Sequence, residues 1–71
     1  MRLKQKRWVP GMIDQHVIAT KWMATARDER LSPMHRDEAV VRMGFAWAGA
    51  ILAASELNFT GRWVYVEEGE G

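Results

Sequence analysis

Residues 31–55 read LSPMHRDEAVVRMGFAWAGAILAAS, and this stretch decides the fold of the 71-residue chain. Ser32 is a favoured helix N-cap, and Pro33 suits the first helical position because its missing N–H would have no partner there. We therefore predict a second helix that begins at Ser32-Pro33. Its surface is almost entirely apolar or small, apart from one narrow stripe formed by Glu38, Arg42, Gly49 and Glu56. A helix of this kind is expected to be central in the protein.

Small residues in this helix predict the close approach of another helix. Each glycine in a helix interior costs about 1 kcal/mol relative to alanine, and close packing at Gly44, Ala48 and Gly49 would offset that cost. A chain of this length builds only a thin core, and without cysteine it has no disulfide to stabilise it. We therefore expect a homodimer. The predicted dimer core comprises Phe45, Trp47, Ala48 and Gly49.

A first helix is predicted from residue 12 to about residue 30. At 100° per residue, one stripe of this helix should face the core, and it is flanked by His16 and Met23. The stripe consists of Ile13, Val17, Thr20, Ala24 and Leu31. Ile18 and Trp22 fall on the opposite side, one turn apart. They are either ordinary surface residues or a contact for another subunit or a protein partner.

The two ends of the chain differ in charge and are both predicted to be extended. Residues 2–9, RLKQKRWV, stop at Pro10-Gly11 and are typical of a strand or an extended arm. Residues 62–66, RWVYV, are rich in β-forming residues and predict a short C-terminal strand. Residues 67–71, EEGEG, are expected to form a flexible acidic tail. The predicted architecture is a small single α+β domain over residues 1–71, with an N-terminal strand, a two-helix hairpin and a short C-terminal strand.

The basic N-terminal segment has two structural interpretations. The first ten residues carry a charge of +4, whereas the last ten carry −2. The segment could remain a free arm. Alternatively, it could pair antiparallel with residues 62–68, so that Lys4 and Lys6 face Glu67 and Glu68 across the ladder.

The sequence offers few groups for catalysis or metal binding. It has no cysteine, and its histidines, His16 and His35, have no evident orienting group or ligand spacing. No glycine-rich phosphate loop precedes a helix. We therefore expect no enzymatic activity, cofactor, metal or small-molecule substrate. Residues 43–55 are too few to cross a bilayer, which needs about 20, and no signal peptide is recognised. The expected location is the cytoplasm, without membrane contact.

The order of strand, proline, helix, serine-capped turn and apolar helix resembles the ribbon-helix-helix family of dimeric DNA-binding proteins. The matching pieces are residues 7–10 (RWVP), the turn at Leu31-Ser32 and residues 36–42 (RDEAVVR). The resemblance implies that strands of two chains pair into a ribbon that enters the major groove, while the start of the second helix binds a phosphate.

Carried over to this chain, the resemblance assigns duplex DNA as the partner. The base-reading residues would be Lys4, Lys6 and Arg2, or Gln5 and Arg7 on the other side of the strand. The phosphate contact would lie near Ser32 and Met34. A second interpretation comes from small size, several tryptophans and the lack of catalytic groups. These features are also typical of a small inhibitor or accessory factor, of viral or bacterial type, that covers part of a host protein.

Overall fold

The protein is a helical hairpin that carries a two-stranded ribbon. The computed structural model describes residues 3–68, in which β1 is Leu3–Val9, α1 is Met12–Ala26, α2 is Pro33–Ser55 and β2 is Arg62–Glu68. The helices pack against each other, and β1 pairs with β2 in one antiparallel sheet. The predicted α+β architecture and its order of elements are confirmed.

α2 begins and ends with recognised capping arrangements. At its start, the Ser32 hydroxyl accepts a hydrogen bond from the backbone N–H of His35, as predicted. At its end, Leu57 takes the left-handed conformation with φ of 61°. The N–H groups of Leu57 and Asn58 then donate to the carbonyls of Ala54 and Ala53, at 3.0 and 2.8 Å. This is a Schellman motif with leucine at the position that usually holds glycine.

α1 is shorter than predicted, because a local turn stops it at Ala26. The Asp28 carboxylate accepts hydrogen bonds from both the backbone N–H and the guanidinium of Arg30, which closes the turn. In addition, the Nε of Arg36 donates to the Ala26 carbonyl at 3.0 Å and satisfies one of the last acceptors of the helix. The prediction that the helix extends to about residue 30 was therefore wrong by one turn.

The core of the hairpin is a seam of alanines. Its buried apolar residues among the described part of the chain are Ala19 of α1 and Ala39, Ala46, Ala50 and Ala53 of α2. The α2 alanines follow spacings of seven, four and three, so they form one stripe along the helix. Such small side chains allow the two helix backbones to approach closely.

The prediction of which side of α1 faces the core was wrong, because the residues of the predicted stripe are exposed. Ile13 and Val17 are 52% and 47% exposed, and Thr20, Ala24 and Leu31 are exposed as well. α1 instead turns Ala19 towards α2, with Trp22 and Met23 partly buried on either side. The expectation that α2 is central was also wrong for the single chain, because α2 contacts only α1 and leaves most of its large side chains exposed.

The position of Trp22 opposite the core was likewise wrong. Its ring lies against α2, where the guanidinium of Arg42 is 5.2 Å from the ring centroid. Arg42 is held in turn by Glu38 one turn earlier, at 2.9 Å. Trp22 thus covers the edge of the alanine seam, because α1 is rotated so that Ala19 faces inwards.

Of the two interpretations of the basic N-terminal segment, the structure shows the paired one, in which β1 pairs antiparallel with β2 of the same chain. The register sets Lys4 opposite Glu67 and Lys6 opposite Tyr65. Glu67 and Glu68 therefore belong to β2, so this part of the predicted flexible tail was wrong; residues 69–71, like Arg2, lie outside the described residues. The tail was expected because residues 67–71 have neither apolar side chains nor periodicity, but Glu67 lies opposite Lys4 in the ladder.

A compact junction connects the ribbon to the hairpin. Asn58, only 6% exposed, donates to the carbonyls of Val9 and Pro10 and accepts from the N–H of Gly61. A Cβ atom at Gly11 would lie 2.2 Å from the backbone nitrogen of Gly61, so this approach requires glycine. Beyond the junction the ribbon projects away from the helices, and the molecule measures 50 × 27 × 13 Å.

Candidate functional site

The hairpin exposes large apolar side chains on both sides of its alanine seam. On one side, which we call the front face, Ile18 of α1 and Phe45 of α2 border a shallow groove of about 350 Å³. Leu52 lies two turns after Phe45 on the same side of α2. Phe45 is 73% exposed and Leu52 is 63% exposed. Such residues are usually buried, so the front face is a candidate interaction surface.

The opposite side, or rear face, is partly covered by the chain itself. Trp47 makes an edge-to-face contact with the ring of His16, with 4.9 Å between the ring centroids. Val40 and Ile51 extend this face and are exposed. The rear face is therefore also apolar, but a histidine already covers its largest residue.

The four residues predicted as a dimer core do not form one surface. Phe45 belongs to the front face and Trp47 to the rear face, while Ala48 is exposed between them on the outer side of α2. A Cβ atom at Gly49 would lie 2.8 Å from the Gln15 side chain, so this glycine serves the contact with α1 of the same chain. Gly44 has open space around it, and a helix approaching at Gly44 and Ala48 stays a prediction.

The predicted partner-binding pair lies on one side of the hairpin, because Ile18 and Trp22 both line the front-face groove. Ile18 is 39% exposed on the front face, whereas Trp22 is partly buried and lines a groove of about 430 Å³ at the loop end of the hairpin. His35 and Glu38 line the same groove. A partner in the front-face groove could therefore touch Ile18 and the accessible part of Trp22 together.

One face of the ribbon combines aromatic rings with lysines. Residues paired directly across an antiparallel ladder point to the same side. The register therefore defines an aromatic face, whose members are Lys4, Lys6, Trp8, Trp63, Tyr65 and Glu67. The rings of Trp8 and Trp63 meet edge to face at 5.3 Å, and the ammonium group of Lys6 lies 5.2 Å from the Trp63 ring centroid. Tyr65 is 72% exposed.

Trp8 also connects this face to the junction. Its indole N–H donates to the Asp14 carboxylate at 3.0 Å, and the same oxygen accepts the backbone N–H of Gly11. The ring passes so close to Gly61 that a Cβ atom there would lie 2.1 Å from it. Gly61 also has φ of 92°, which favours glycine on its own account. Trp8 is thereby fixed in orientation, and it positions Trp63.

The opposite ribbon face carries Gln5, Arg7, Val9, Arg62, Val64 and Val66. The predicted alternation is confirmed, because the two alternative reading sets lie on different faces: Lys4 and Lys6 on one, Gln5 and Arg7 on the other. β1 pairs with β2 of its own chain, so pairing with a second copy would use the other edge of β1. That intermolecular pairing stays a prediction.

The predicted phosphate contact lies at the opposite end of the hairpin from the ribbon. The ribbon joins the start of α1 and the end of α2, whereas Ser32 precedes a 23-residue helix. At about 1.5 Å per residue, Ser32 is roughly 34 Å from that junction. Its hydroxyl is already engaged with His35, at 2.7 Å from the ring Nδ1. Within one chain, the ribbon and the Ser32 region are therefore not brought together.

The described residues hold no group of three or more His, Asp or Glu side chains that could bind a metal ion. α2 is long and apolar enough to cross a membrane by length and composition alone, with 22% of its apolar window buried. Core helices of soluble proteins meet the same criterion. Charged residues Arg36, Asp37, Glu38 and Arg42 restrict its uncharged part to residues 43–55.

Sequence reasoning missed the Asn58 junction and the aromatic face. The alternation of Trp63 and Tyr65 was visible, but their neighbours come from β1, more than 50 residues away, so only the pairing register could have identified the face. No protein-family model, curated protein or solved structure matches this chain.

Proposed function

We propose that this protein is a small non-enzymatic binding protein that works as a homodimer, in which two hairpins pack through their front faces and the ribbons project to bind a target. The observation that carries this proposal is the accessible surface of the single chain, 5706 Å². A compact monomer of 8.2 kDa is expected to expose about 4,500 Å². The excess is roughly 1,200 Å².

The shape of the chain supports the same conclusion. Its radius of gyration is 15.7 Å, against about 11 Å for a compact domain of this length. The projecting ribbon and the exposed side chains of the hairpin both contribute to the excess surface. A standard protein interface buries about 800 Å² per partner, which the excess can supply.

The front face suits a two-fold symmetric dimer better than the rear face does. Around a two-fold axis, the same patch on each copy must complement itself. Phe45 projects beside the groove that it shares with Ile18, so the Phe45 of each copy can enter the groove of the other. On the rear face, the contact between His16 and Trp47 already fills the corresponding position.

Sedimentation equilibrium at micromolar concentration tests the dimer. The wild-type protein should sediment at about twice 8.2 kDa. Phe45→Glu places a charge in the proposed interface and should give a monomer, with loss of helical circular dichroism if the hairpin needs its partner. The matched control is Ile51→Glu, which introduces the same charge at an equally exposed site on the rear face and should stay dimeric.

Two results would contradict the proposal. One is a wild-type protein that stays a folded monomer at micromolar concentration. The other is a dimer that survives Phe45→Glu but dissociates with Ile51→Glu. A folded monomer would favour the second candidate function, in which the groove between Ile18 and Phe45 is covered by a protein of the host.

A further inference from the structure

We propose that the aromatic face of the ribbon is a binding site for single-stranded nucleic acid, in which unpaired bases stack on Trp63 and Tyr65 while Lys4 and Lys6 bind phosphates. This inference deepens the proposed function, because it names the target of the ribbon. The site is built from the two strands of one chain, so it can be tested separately from the dimer.

The aromatic rings have the spacing and exposure of a stacking platform. Trp63 and Tyr65 are two residues apart on β2, so they lie on the same face and about 7 Å apart. They are 57% and 72% exposed. Trp8 contacts Trp63 edge to face, and the Tyr65 ring is exposed enough to stack on a base. Aromatic rings arranged in this way bind bases of any sequence.

The charges of the ribbon favour a polyanion. On the aromatic face, the two positive charges of Lys4 and Lys6 exceed the one negative charge of Glu67. Lys6 is paired with Tyr65 across the ladder, and its ammonium group lies 5.2 Å from the Trp63 ring centroid. It can therefore contact the phosphate between two stacked bases. Glu67 lies at the far end of the face, opposite Lys4, and so away from Trp63.

Exposed rings distinguish an unpaired strand from a duplex. The bases of a duplex are already stacked on one another, and groove reading depends on hydrogen-bonding side chains rather than on ring faces. The aromatic face offers rings with flanking lysines, while the polar readers Gln5 and Arg7 lie on the opposite face. Duplex binding through that opposite face is thus the competing outcome.

The rings are not needed to cover the core of this chain. Within residues 3–68, the two strands pack mainly on each other, and the hydrogen bond from Trp8 to Asp14 joins the base of the ribbon to α1, whereas Trp63 and Tyr65 stay exposed. A two-stranded ribbon without cover is marginally stable in water, so a ligand that stacks on the rings would also stabilise the ribbon.

Fluorescence anisotropy with a labelled oligothymidylate of about 16 nucleotides tests the site, because small single-strand-binding folds cover up to about that length. At low salt, the protein should bind this probe at least tenfold more tightly than a duplex of equal length. Tyr65→Ala should weaken binding about tenfold, whereas Tyr65→Phe, which keeps the ring, should bind like the wild type.

Two double variants with the same change in charge separate the faces. Lys4→Gln with Lys6→Gln should weaken binding at least tenfold and reduce the slope of log affinity against log salt by about 1.4, since each single-strand phosphate contributes about 0.7. Arg7→Gln with Arg62→Gln lowers the charge equally on the opposite face and should change affinity less than threefold. Circular dichroism of each variant verifies that the fold is retained.

The proposal is overturned if the oligothymidylate does not bind at low salt, or if Tyr65→Ala binds as tightly as the wild type. It is also overturned if the duplex binds better and the Arg7 and Arg62 pair carries that binding. Sedimentation of the same samples reports the dimer independently. Loss of probe binding in an intact dimer refutes only this site, and binding by a monomer refutes only the dimer.

Discussion

Replacing Asn58 with alanine should detach the ribbon from the hairpin. This side chain is the one buried polar side chain of the described residues, and it bonds three backbone groups at once. Its Oδ1 accepts from the N–H of Gly61 at 2.9 Å, and its Nδ2 donates to the carbonyls of Pro10 and Val9 at 3.3 and 3.4 Å. Asn58→Ala removes all three bonds without filling the space.

The expected loss of stability follows from the geometry of these bonds. The short bond to Gly61 has good geometry, and leaving a buried N–H without a partner costs about 1–3 kcal/mol. The two longer bonds share one nitrogen, so together they contribute about 1 kcal/mol. The free energy of unfolding should therefore fall by about 2–4 kcal/mol, a large part of the stability of so small a domain.

Urea denaturation followed by circular dichroism and by tryptophan fluorescence measures this effect. Trp8 and Trp63 lie in the ribbon, whereas Trp22 and Trp47 lie in the helices. In Asn58→Ala, part of the fluorescence change should therefore occur at a lower urea concentration than the loss of helical ellipticity. The isosteric variant Asn58→Asp keeps the acceptor for Gly61 but turns a negative oxygen towards two carbonyls. Its deficit relative to the wild type should shrink as the pH falls towards about 3.9, because a buried carboxylate that faces two carbonyls binds its proton at a higher pH in the folded chain than in the unfolded chain, and the protonated group can donate.

Two outcomes would refute this reasoning. If Asn58→Ala unfolds within about 0.5 kcal/mol of the wild type, the three bonds do not hold the junction. If Asn58→Asp shows the same deficit at every pH, the donor to Val9 and Pro10 is irrelevant.

Three further predictions concern the helices and their ends. Leu57→Gly should raise the free energy of unfolding, measured by urea denaturation, by about 1 kcal/mol, because glycine adopts the left-handed conformation of residue 57 at no steric cost. An unchanged or lower free energy of unfolding would contradict this prediction. Trp22→Ala and Trp47→Ala should lower the midpoint of thermal unfolding by similar amounts, since each ring is partly buried against the other helix. A melting curve for Trp22→Ala that matches the wild type would contradict the partly buried position of Trp22. The hydrogen bond from the Arg30 side chain lowers the pKa of Asp28 from 3.8 to about 2, so the stabilising contribution of the Asp28 carboxylate is complete above pH 3.8 and is lost as the pH falls through about 2. An NMR titration of this carboxyl group with a midpoint near 3.8 would contradict the pairing.

The local features of this fold could be predicted because each depends on neighbouring residues. Ser32 and Pro33 specify the start of α2 through capping and a fixed φ, which need no tertiary contact. The alternation in β1 and β2 follows from the two-residue period of a strand. Pro10 and Gly11 end β1 for a similar local reason. These features gave the element order and the two possible faces of the ribbon.

The side on which each helix packs was decided by tertiary structure. α1 has apolar residues on several sides, so its sequence pattern did not distinguish the side of Ile13 and Val17 from that of Ala19. Ala19 packs against the alanines of α2, because small side chains on both helices allow the helix backbones to approach more closely than large ones do. The larger residues were thereby left outside, where they form the proposed interaction surface.

The sequence by itself therefore determined where the helices and strands begin and how the side chains of the strands alternate. Only the tertiary structure decided which strand pairs with which, because the partners come from opposite ends of the chain. It also decided that Trp63 and Tyr65 share a face with Lys4 and Lys6, since a register shifted by one residue would place them on opposite faces. The physical reason is that pairing register and helix rotation are set by contacts between distant residues, which no local pattern encodes.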